Sequence, residues 1–215
     1  MILKTIVTGP LQVNCYIVAD EETKSGFVID PGWDAEIVHA EIEKLGLEKV
    51  TILCTHGHFD HISGVPELRE LTGAKAYMNR EDFPFIKSVN GMNALTMGMG
   101  NVDEFEFDGE INEGDEFKVG KITLKALSTP GHSPGGISLY DGDKVVFVGD
   151  ALFAGSVGRV DLPMSNGKDL IKSITEVLYA LPDETEVFTG HGPSTTIGRE
   201  KRTNPFTLNP EYLLG

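Results

Sequence analysis

Cysteine is scarce in this chain, and no long apolar run is present. The only two cysteines are Cys15 and Cys54, and each lies inside an apolar run. This setting indicates small core residues rather than a disulfide or a nucleophile. No apolar run approaches the roughly 20 residues of a membrane-spanning helix. The start of the chain also lacks the length and cleavage signature of a secretory signal. We therefore expect a cytoplasmic protein without a membrane partner.

Basic residues are also in short supply. The chain has 18 lysines and arginines against 33 aspartates and glutamates, which gives a net charge of -15. Such a field repels polyphosphate, so nucleic acid is not an expected partner, and no protein partner is implied. The 215 residues contain no linker, low-complexity tract or short repeat. We predict one globular domain over residues 1–215.

Histidine is rare as well, but half of the six histidines lie in one short stretch. His56, His58 and His61, together with Asp60, directly follow the apolar run at residues 50–54. Imidazole and carboxylate groups at this density predict a metal site in the loop after a buried strand. In an extended loop, residues 56, 58 and 60 would point to one side and residue 61 to the other. Two adjacent ions could share these four groups more easily than one ion could collect them.

Three further candidate ligands each follow a predicted strand. They are His132, Asp150 and His191, and glycine or proline flanks each of them. Glycine is typical of places where the backbone passes close to a bound group. The resulting seven ligands are enough for two divalent ions of four- or five-coordinate geometry once water is added. Zinc is the metal we expect first, although this ligand set also suits iron and manganese.

The hydrophobic patterns predict a mixture of strands and helices. Predicted strands cover residues 2–7, 13–19, 26–30, 50–54, 75–78, 104–107, 116–119, 122–127, 137–140, 145–148 and 186–189. Predicted helices cover residues 34–45, a segment capped by Ser63 with Val65, Leu68 and Leu71 facing the core, and residues 81–89, 168–181 and 197–202. The first has Ala35, Val38, Ile42 and Leu45 on one face. The helix at 168–181 has a buried stripe of Ile171, Ile174, Leu178 and Leu181, and Pro205 ends the last helix. The mixture predicts two mixed β-sheets packed face to face, with helices covering the outside.

One stretch has no clear period. Residues 90–100 hold half of the methionines and three glycines. This composition fits a mobile apolar flap and a plain surface loop equally well.

The ligand pattern resembles that of a known family. His56-x-His58-x-Asp60-His61, followed by His132, Asp150 and His191, is similar to the metallo-β-lactamase-fold metallohydrolases. The stretches 155–161 and 190–198 are most similar to short, single-domain bacterial members of the glyoxalase II (hydroxyacylglutathione hydrolase) group. The resemblance implies an αββα sandwich of two mixed sheets flanked by helices. It also implies a first metal on His56, His58 and His132, a second on Asp60, His61 and His191, and Asp150 as the bridge.

The resemblance further implies a substrate and a mechanism. We expect a small-molecule acyl thioester to be attacked by a hydroxide that bridges the two ions, with Asp60 orienting it. Arg159 aligns with a basic residue that meets the glycine carboxylate of glutathione. Asp161 stands where such enzymes often have a tyrosine, and it could orient Arg159 or simply cap a turn. Longer members also carry a C-terminal helical region that helps bind glutathione, and from the short stretch after His191 we expect this region to be missing here. The thiol half of the substrate is therefore left open.

Three other functions compete with this interpretation. A persulfide dioxygenase of the same fold would bind one iron through His56, His132 and Asp150. A lactonase, another ester hydrolase or a β-lactamase is a second alternative. A secreted β-lactamase is disfavoured by the absence of a signal and by Asp150 as a bridging ligand. A non-catalytic metal-binding protein is the third.

Overall fold

The fold was analysed in a computed structural model that describes residues 1–87 and 105–214. The chain divides into two compact units. The first comprises Met1–Ile111 and Lys118–Thr123, and the second comprises Asn112–Phe117 and Leu124–Gly215. Residues 90–100 lie outside the described part, as do residue 104 of one predicted strand and residues 88–89 of one predicted helix. The prediction of a single domain stays a prediction.

The first unit contains a six-stranded mixed sheet in the order β1-β2-β3-β4-β5-β6. The strands are Ile2–Thr8, Val13–Asp20, Ser25–Ile29, Lys49–Leu53, Lys75–Met78 and Gly109–Glu110. The first three pair antiparallel, and β3, β4, β5 and β6 run parallel to one another. The carboxyl ends of β3 and β4 therefore lie side by side, which places the residues after each strand at the same sheet edge.

Helices cover one face of this sheet. They are α1 (Ala35–Lys44), α2 (Phe59–Ile62), α3 (Val65–Thr72) and α4 (Phe83–Ile86), with a 3-10 turn at Arg80–Asp82. Val38 and Ile42 of α1 and Leu68 of α3 join one apolar cluster with side chains of the sheet. The 3.6-residue period therefore placed Val38, Ile42 and Leu68 on the core side correctly.

Three predictions for the first unit are wrong. Leu71 is 41% exposed, because α3 turns it away from the core that holds Val65 and Leu68. Gly64, rather than Ser63, is the N-cap of α3; the Ser63 hydroxyl instead donates to the carbonyl oxygen of Phe59. Residues 105–107 are not a strand. The phenylalanines at 105 and 107 pack on the core cluster, which explains why this stretch is apolar.

The second unit contains a six-stranded mixed sheet in the order β14-β13-β10-β9-β8-β7, and a small hairpin of β11 and β12. The strands are β7 (Glu116–Val119), β8 (Ile122–Ser128), β9 (Ile137–Tyr140), β10 (Val145–Gly149), β11 (Leu152–Phe153), β12 (Ser156–Val157), β13 (Glu186–Thr189) and β14 (Thr195–Thr196). All five residues of β10 are buried, as its non-alternating sequence predicts.

The helix predicted at residues 168–181 is present but irregular. It begins as α5 (Gly167–Lys172), continues as a π-helical turn over Ser173–Val177 and ends as a 3-10 turn over Leu178–Ala180. Its buried stripe consists of Leu170, Ile174 and Leu178, whereas the predicted stripe began at Ile171 and ended at Leu181. A π turn adds a residue to the helical repeat, so the spacing of buried positions departs from that of a regular α-helix.

The chain closes with α6 (Ile197–Thr203), α7 (Pro205–Leu208) and α8 (Glu211–Leu214). Pro205 ends the predicted helix, as expected, but it also begins the next one, where its missing N–H is not needed. In the described part of the chain, no helix is long and apolar enough to cross a membrane.

Candidate metal centre

The histidine-rich stretch lies at the carboxyl end of β4. The Cys54 N–H donates to the carbonyl oxygen of Tyr77, which continues the sheet for one more residue before the loop begins. His56 and His61 are buried, and His58 is half-buried. The loop is not extended throughout, because residues 59–62 form α2 and the His61 N–H donates to the His58 carbonyl. This turn brings the rings of His56 and His61 to a centroid distance of 4.1 Å.

A buried carboxylate supports this loop from the neighbouring strand. Asp30 directly follows β3 and is 2% exposed. One of its oxygens accepts from the Thr55 N–H at 2.7 Å, and the other accepts from the Thr55 hydroxyl at 2.6 Å. The second oxygen also lies 3.0 Å from Nδ1 of His61. The reasoning from sequence missed Asp30, although an acidic residue ending a buried strand next to the ligand-bearing strand could have revealed it.

A second buried carboxylate holds the loop from the other side. Oδ2 of Asp82 accepts from the N–H of Gly57 at 2.8 Å, and Asp82 is fully buried. A Cβ on Gly57 would lie 2.8 Å from the Asp82 carbonyl oxygen, so only glycine fits between the two ligands His56 and His58. The ring of Phe85 packs edge-on against His58 at 5.0 Å. Neither contact has a signal in the sequence, since both depend on how the segment at residues 80–86 returns to the loop.

Asp60 points toward the ligand cluster of its own unit. Its Oδ2 lies 3.8 Å from Nε2 of His61, which is too far for a hydrogen bond. Two ligand atoms bound at about 2.0–2.1 Å to one tetrahedral ion are about 3.4 Å apart. The Asp60–His61 separation is therefore close to that of neighbouring ligands.

The three predicted ligands of the second unit also converge. β10 and β13 are parallel neighbours, with Gly149 paired to Thr189, so Asp150 and His191 emerge at one sheet edge. Oδ2 of Asp150 lies 3.6 Å from Nε2 of His132 and 3.5 Å from Nε2 of His191. These distances exceed hydrogen-bond length but match the separation of about 3.4 Å between two ligands of one ion. The donor set fits a metal, and Asp150 is placed centrally between two imidazoles.

The orientation of His132 is fixed by the backbone. Its Nδ1 lies 2.8 Å from the carbonyl oxygen of Arg159, so Nδ1–H donates and Nε2 faces Asp150. A Cβ on Gly158 would lie 2.0 Å from the Asp150 carbonyl oxygen and 3.0 Å from Cβ of His132. Position 158 must therefore be glycine, because the backbone of Asp150 and the side chain of His132 leave no room for a Cβ. This geometry gives a physical reason for Gly158 in the stretch 155–161, which is similar to the glyoxalase II group.

The side chain of Arg159 pairs with Asp161 at the surface, whereas its carbonyl contacts His132. Its guanidinium makes two hydrogen bonds of 2.7 Å to the Asp161 carboxylate, and both side chains are more than 60% exposed. The hydrogen bonds from Arg159 lower the pKa of Asp161 to about 2. The predicted orientation of Arg159 by Asp161 is thus seen, while substrate binding by this pair stays a prediction.

A third buried carboxylate anchors the chain that leads to Gly158. Glu200 of α6 is fully buried. It accepts from the Gly155 N–H at 2.9 Å, the Asn204 side-chain amide at 2.9 Å and the Thr195 hydroxyl at 2.5 Å. The Asn204 amide also donates to the Ser156 carbonyl oxygen. This network fixes the β11–β12 hairpin, which immediately precedes the Gly158–Arg159 segment.

The two cysteines are core residues, as predicted. Both are free and fully buried in the cluster beneath the loop. Burial, together with the nearby charge of Asp30, raises the pKa of both thiols well above the ordinary value. Neither thiol is a nucleophile at neutral pH.

The fold and these ligand groups agree with the sequence comparisons. The chain belongs to the metallo-beta-lactamase superfamily, whose family model matches residues 8–191. The predicted fold class, two mixed sheets flanked by helices in the metallo-β-lactamase fold, is confirmed. Family membership and the histidine–aspartate groups together define a metal-binding hydrolase.

Three similar proteins narrow the comparison. The hydroxyacylglutathione hydrolase GloC of Haemophilus influenzae is 38% identical, over 96% of this chain and 98% of that protein. The crystal structure of the BLEG-1 B3 metallo-beta-lactamase has a TM-score of 0.88 and 35% identity, covering 96% of this chain and 99% of its own. The structure of TTHA1623 in a di-iron-bound form has a TM-score of 0.82 and 39% identity, covering 94% and 99%.

Proposed function

We propose that this protein is a binuclear metal-dependent hydrolase of acyl thioesters, with a hydroxyacylglutathione-like substrate. The observation that carries the proposal is the position of Asp150, whose single oxygen Oδ2 is 3.5–3.6 Å from Nε2 of both His132 and His191. A carboxylate oxygen at this distance from two imidazole nitrogens can be shared by two metals, one on each histidine. The near full-length similarity to a hydroxyacylglutathione hydrolase supports the choice of substrate class.

The ligands divide into two sets with one shared residue. His56, His58 and His132 would hold the first metal, and Asp60, His61 and His191 would hold the second. Asp150 would be the ligand that both metals share. Zinc is the default metal for histidine and carboxylate, and iron and manganese suit the same donors. The di-iron form of TTHA1623 makes iron a specific candidate here.

The bound ions supply a water of lowered pKa and polarise the substrate carbonyl. The residues of the chain position the attacking water and the histidine rings, and they accept the proton of the water. Asp60 is half-buried in the ligand loop and orients the attacking water through its carboxylate, later accepting its proton. Asp30 and the Arg159 carbonyl hold the rings of His61 and His132 so that Nε2 faces the other ligands of its unit. The exposed Arg159 guanidinium has five N–H donors, and the two hydrogen bonds to Asp161 use only two of them. The remaining donors would bind a carboxylate of an anionic substrate.

A second candidate is β-lactam hydrolysis. The 35% identity to a protein described as a B3 metallo-beta-lactamase favours it. It differs from thioester hydrolysis in the leaving group, because the amine of an opened β-lactam must be protonated whereas a thiolate leaves without a proton. An oxidative reaction on a persulfide at one iron is the remaining competitor.

The test is a substrate panel on metal-loaded protein. The panel contains S-D-lactoylglutathione, a coenzyme A thioester, a lactone, a chromogenic cephalosporin and glutathione persulfide with an oxygen electrode. We expect turnover of a thioester well above that of an Asp60→Asn variant, whose metal content is measured in the same preparation. Turnover of the cephalosporin alone, oxygen consumption on the persulfide, or equal thioester rates for wild type and Asp60→Asn would each overturn the proposal.

A further inference from the structure

One carboxylate connects two of the predicted ligands, His56 and His61. Asp30 is buried and accepts hydrogen bonds through both oxygens, from the N–H and hydroxyl of Thr55 and from the ring of His61. The Thr55 hydroxyl oxygen lies in turn 3.0 Å from Nδ1 of His56. A single chain of hydrogen bonds therefore runs from one histidine through Thr55 and Asp30 to the other.

The direction of each hydrogen bond follows from counting protons. An ionised carboxylate only accepts, so the one hydroxyl proton of Thr55 is donated to Asp30. The hydroxyl oxygen can then only accept from His56, which places a proton on Nδ1 of that ring. His61 likewise donates its Nδ1–H to Asp30. A neutral imidazole carries one proton, so both rings present an unprotonated Nε2.

We propose that Asp30 and Thr55 form one positioning unit that sets the tautomer of both histidines and thereby the metal affinity of both ligand sets. The inference rests on the proposed function, because it assigns His56 and His61 to different metals. It goes beyond that function in making a single carboxylate responsible for both. Outer partners of this kind contribute about 10- to 100-fold in metal affinity.

An alternative to this positioning role is that Asp30 itself binds a metal ion. The ligand atoms of Asp30, His56 and His61 lie within 4.8 Å of one another, a spacing that could hold an ion. Both oxygens of Asp30, however, already accept at 2.6–3.0 Å. An ion on Asp30 would displace the hydroxyl or ring proton, which would break the chain of hydrogen bonds described above.

The test uses three variants and one control. Thr55→Val removes the hydroxyl at nearly constant volume, and Thr55→Ser restores it. Asp30→Asn replaces the accepting oxygen with an amide that cannot accept from both Thr55 and His61. Thr51→Val is the matched control, since it makes the same change four residues earlier in β4 at a half-buried position. Circular dichroism confirms the fold of each variant.

Two readouts are needed. The first is the histidine tautomer in metal-free protein, from ¹⁵N NMR of the ring nitrogens. The second is the affinity for each equivalent of zinc, from competition with a chelator. We expect Thr55→Val to disturb only the His56 tautomer and to weaken one equivalent by about 10- to 100-fold. We expect Asp30→Asn to weaken both equivalents, and Thr55→Ser and Thr51→Val to match wild type.

Several results would overturn the inference. One is a Thr55→Val variant in which the His56 tautomer is unchanged and both equivalents of zinc bind with wild-type affinity. Complete loss of one equivalent in Asp30→Asn, with the other at wild-type affinity, would instead identify Asp30 as a ligand. The tautomer measurement needs neither metal nor substrate. A protein with the expected tautomers that hydrolyses no thioester would therefore contradict the proposed function and leave this inference standing.

Discussion

Nδ1 of His132 donates to the carbonyl oxygen of Arg159 at 2.8 Å. The backbone of residue 159 therefore orients a predicted metal ligand, while its exposed side chain pairs with Asp161. Two roles thus meet at one residue and can be separated by mutation. The carbonyl survives any substitution, whereas the guanidinium does not.

Replacement of Arg159 by methionine should weaken substrate binding and leave metal binding unchanged. We expect Arg159→Met to retain wild-type metal content, because the carbonyl that orients His132 remains. We expect KM for S-D-lactoylglutathione to rise several-fold with a smaller change in kcat, because an exposed charge contributes mainly to binding the substrate carboxylate. Steady-state kinetics and metal analysis of the same preparation check this. A loss of metal with unchanged KM would contradict it.

Asp161 should titrate well below an ordinary aspartate. Its folded-state pKa is about 2, lowered by Arg159 from an ordinary 3.8. Because the pKa is lowered on folding, the pair stabilises the protein fully above about pH 4 and loses this contribution as the pH falls toward 2. Carboxyl ¹³C NMR should give this midpoint in wild type and a midpoint near 3.9 in Arg159→Met. Equal midpoints in the two proteins would show that the pair does not form in solution.

Gly158 should tolerate no side chain. A Cβ there would overlap the Asp150 carbonyl oxygen and press on His132, so Gly158→Ala should displace two ligands. We expect a stability loss of about 1–3 kcal/mol from overpacking and a lower metal content. Thermal unfolding and metal analysis measure the two effects.

Gly155→Ala provides the control for Gly158. Gly155 also lies in the hairpin region and has a φ of +75°, but a Cβ there would meet nothing within 4 Å. It should cost about 1 kcal/mol from backbone strain alone and leave metal content unchanged. Equal metal loss in both variants would contradict a specific clash at position 158.

Glu200 should stabilise the second unit through its three donors. Glu200→Ala leaves the Gly155 N–H, the Asn204 amide and the Thr195 hydroxyl without their buried acceptor, so we expect a loss of about 3 kcal/mol or more. Glu200→Gln keeps an acceptor for the two N–H donors and should cost about 1 kcal/mol. Arg199→Ala, which removes an exposed partner 3.8 Å away, should change stability by less than about 1 kcal/mol. Chemical denaturation separates the three variants.

The sequence was sufficient to place most of the longer strands and the polar residues that follow them. Hydrophobic runs such as Val145–Val148 and the turn residues after them placed Asp150 and His191 at strand ends, and the structure has both at the same edge of the second sheet. The loop after β4 was likewise located from composition alone. These features are local, because a buried strand and its terminating residues are adjacent in the chain.

The contacts that support the predicted ligands could not be read from local sequence patterns. Asp30 lies 31 residues before His61, and the carboxylate of Asp82 lies 25 residues after Gly57. Each contact depends on strand order and on the path of a returning segment, which local patterns do not encode. The α2 turn at residues 59–62 was missed for a related reason. Four residues are too few to show a helical period, and the turn is held by tertiary contacts around His61.

The central claim is that this chain holds two metal ions. The most direct measurement is the metal-to-protein ratio of purified, metal-loaded protein, determined by elemental mass spectrometry. The His132→Ala variant is measured in the same way. We predict two ions per chain in wild type and a reduced ratio in the variant. One iron per chain in wild type would contradict the binuclear account and favour the mononuclear oxygenase.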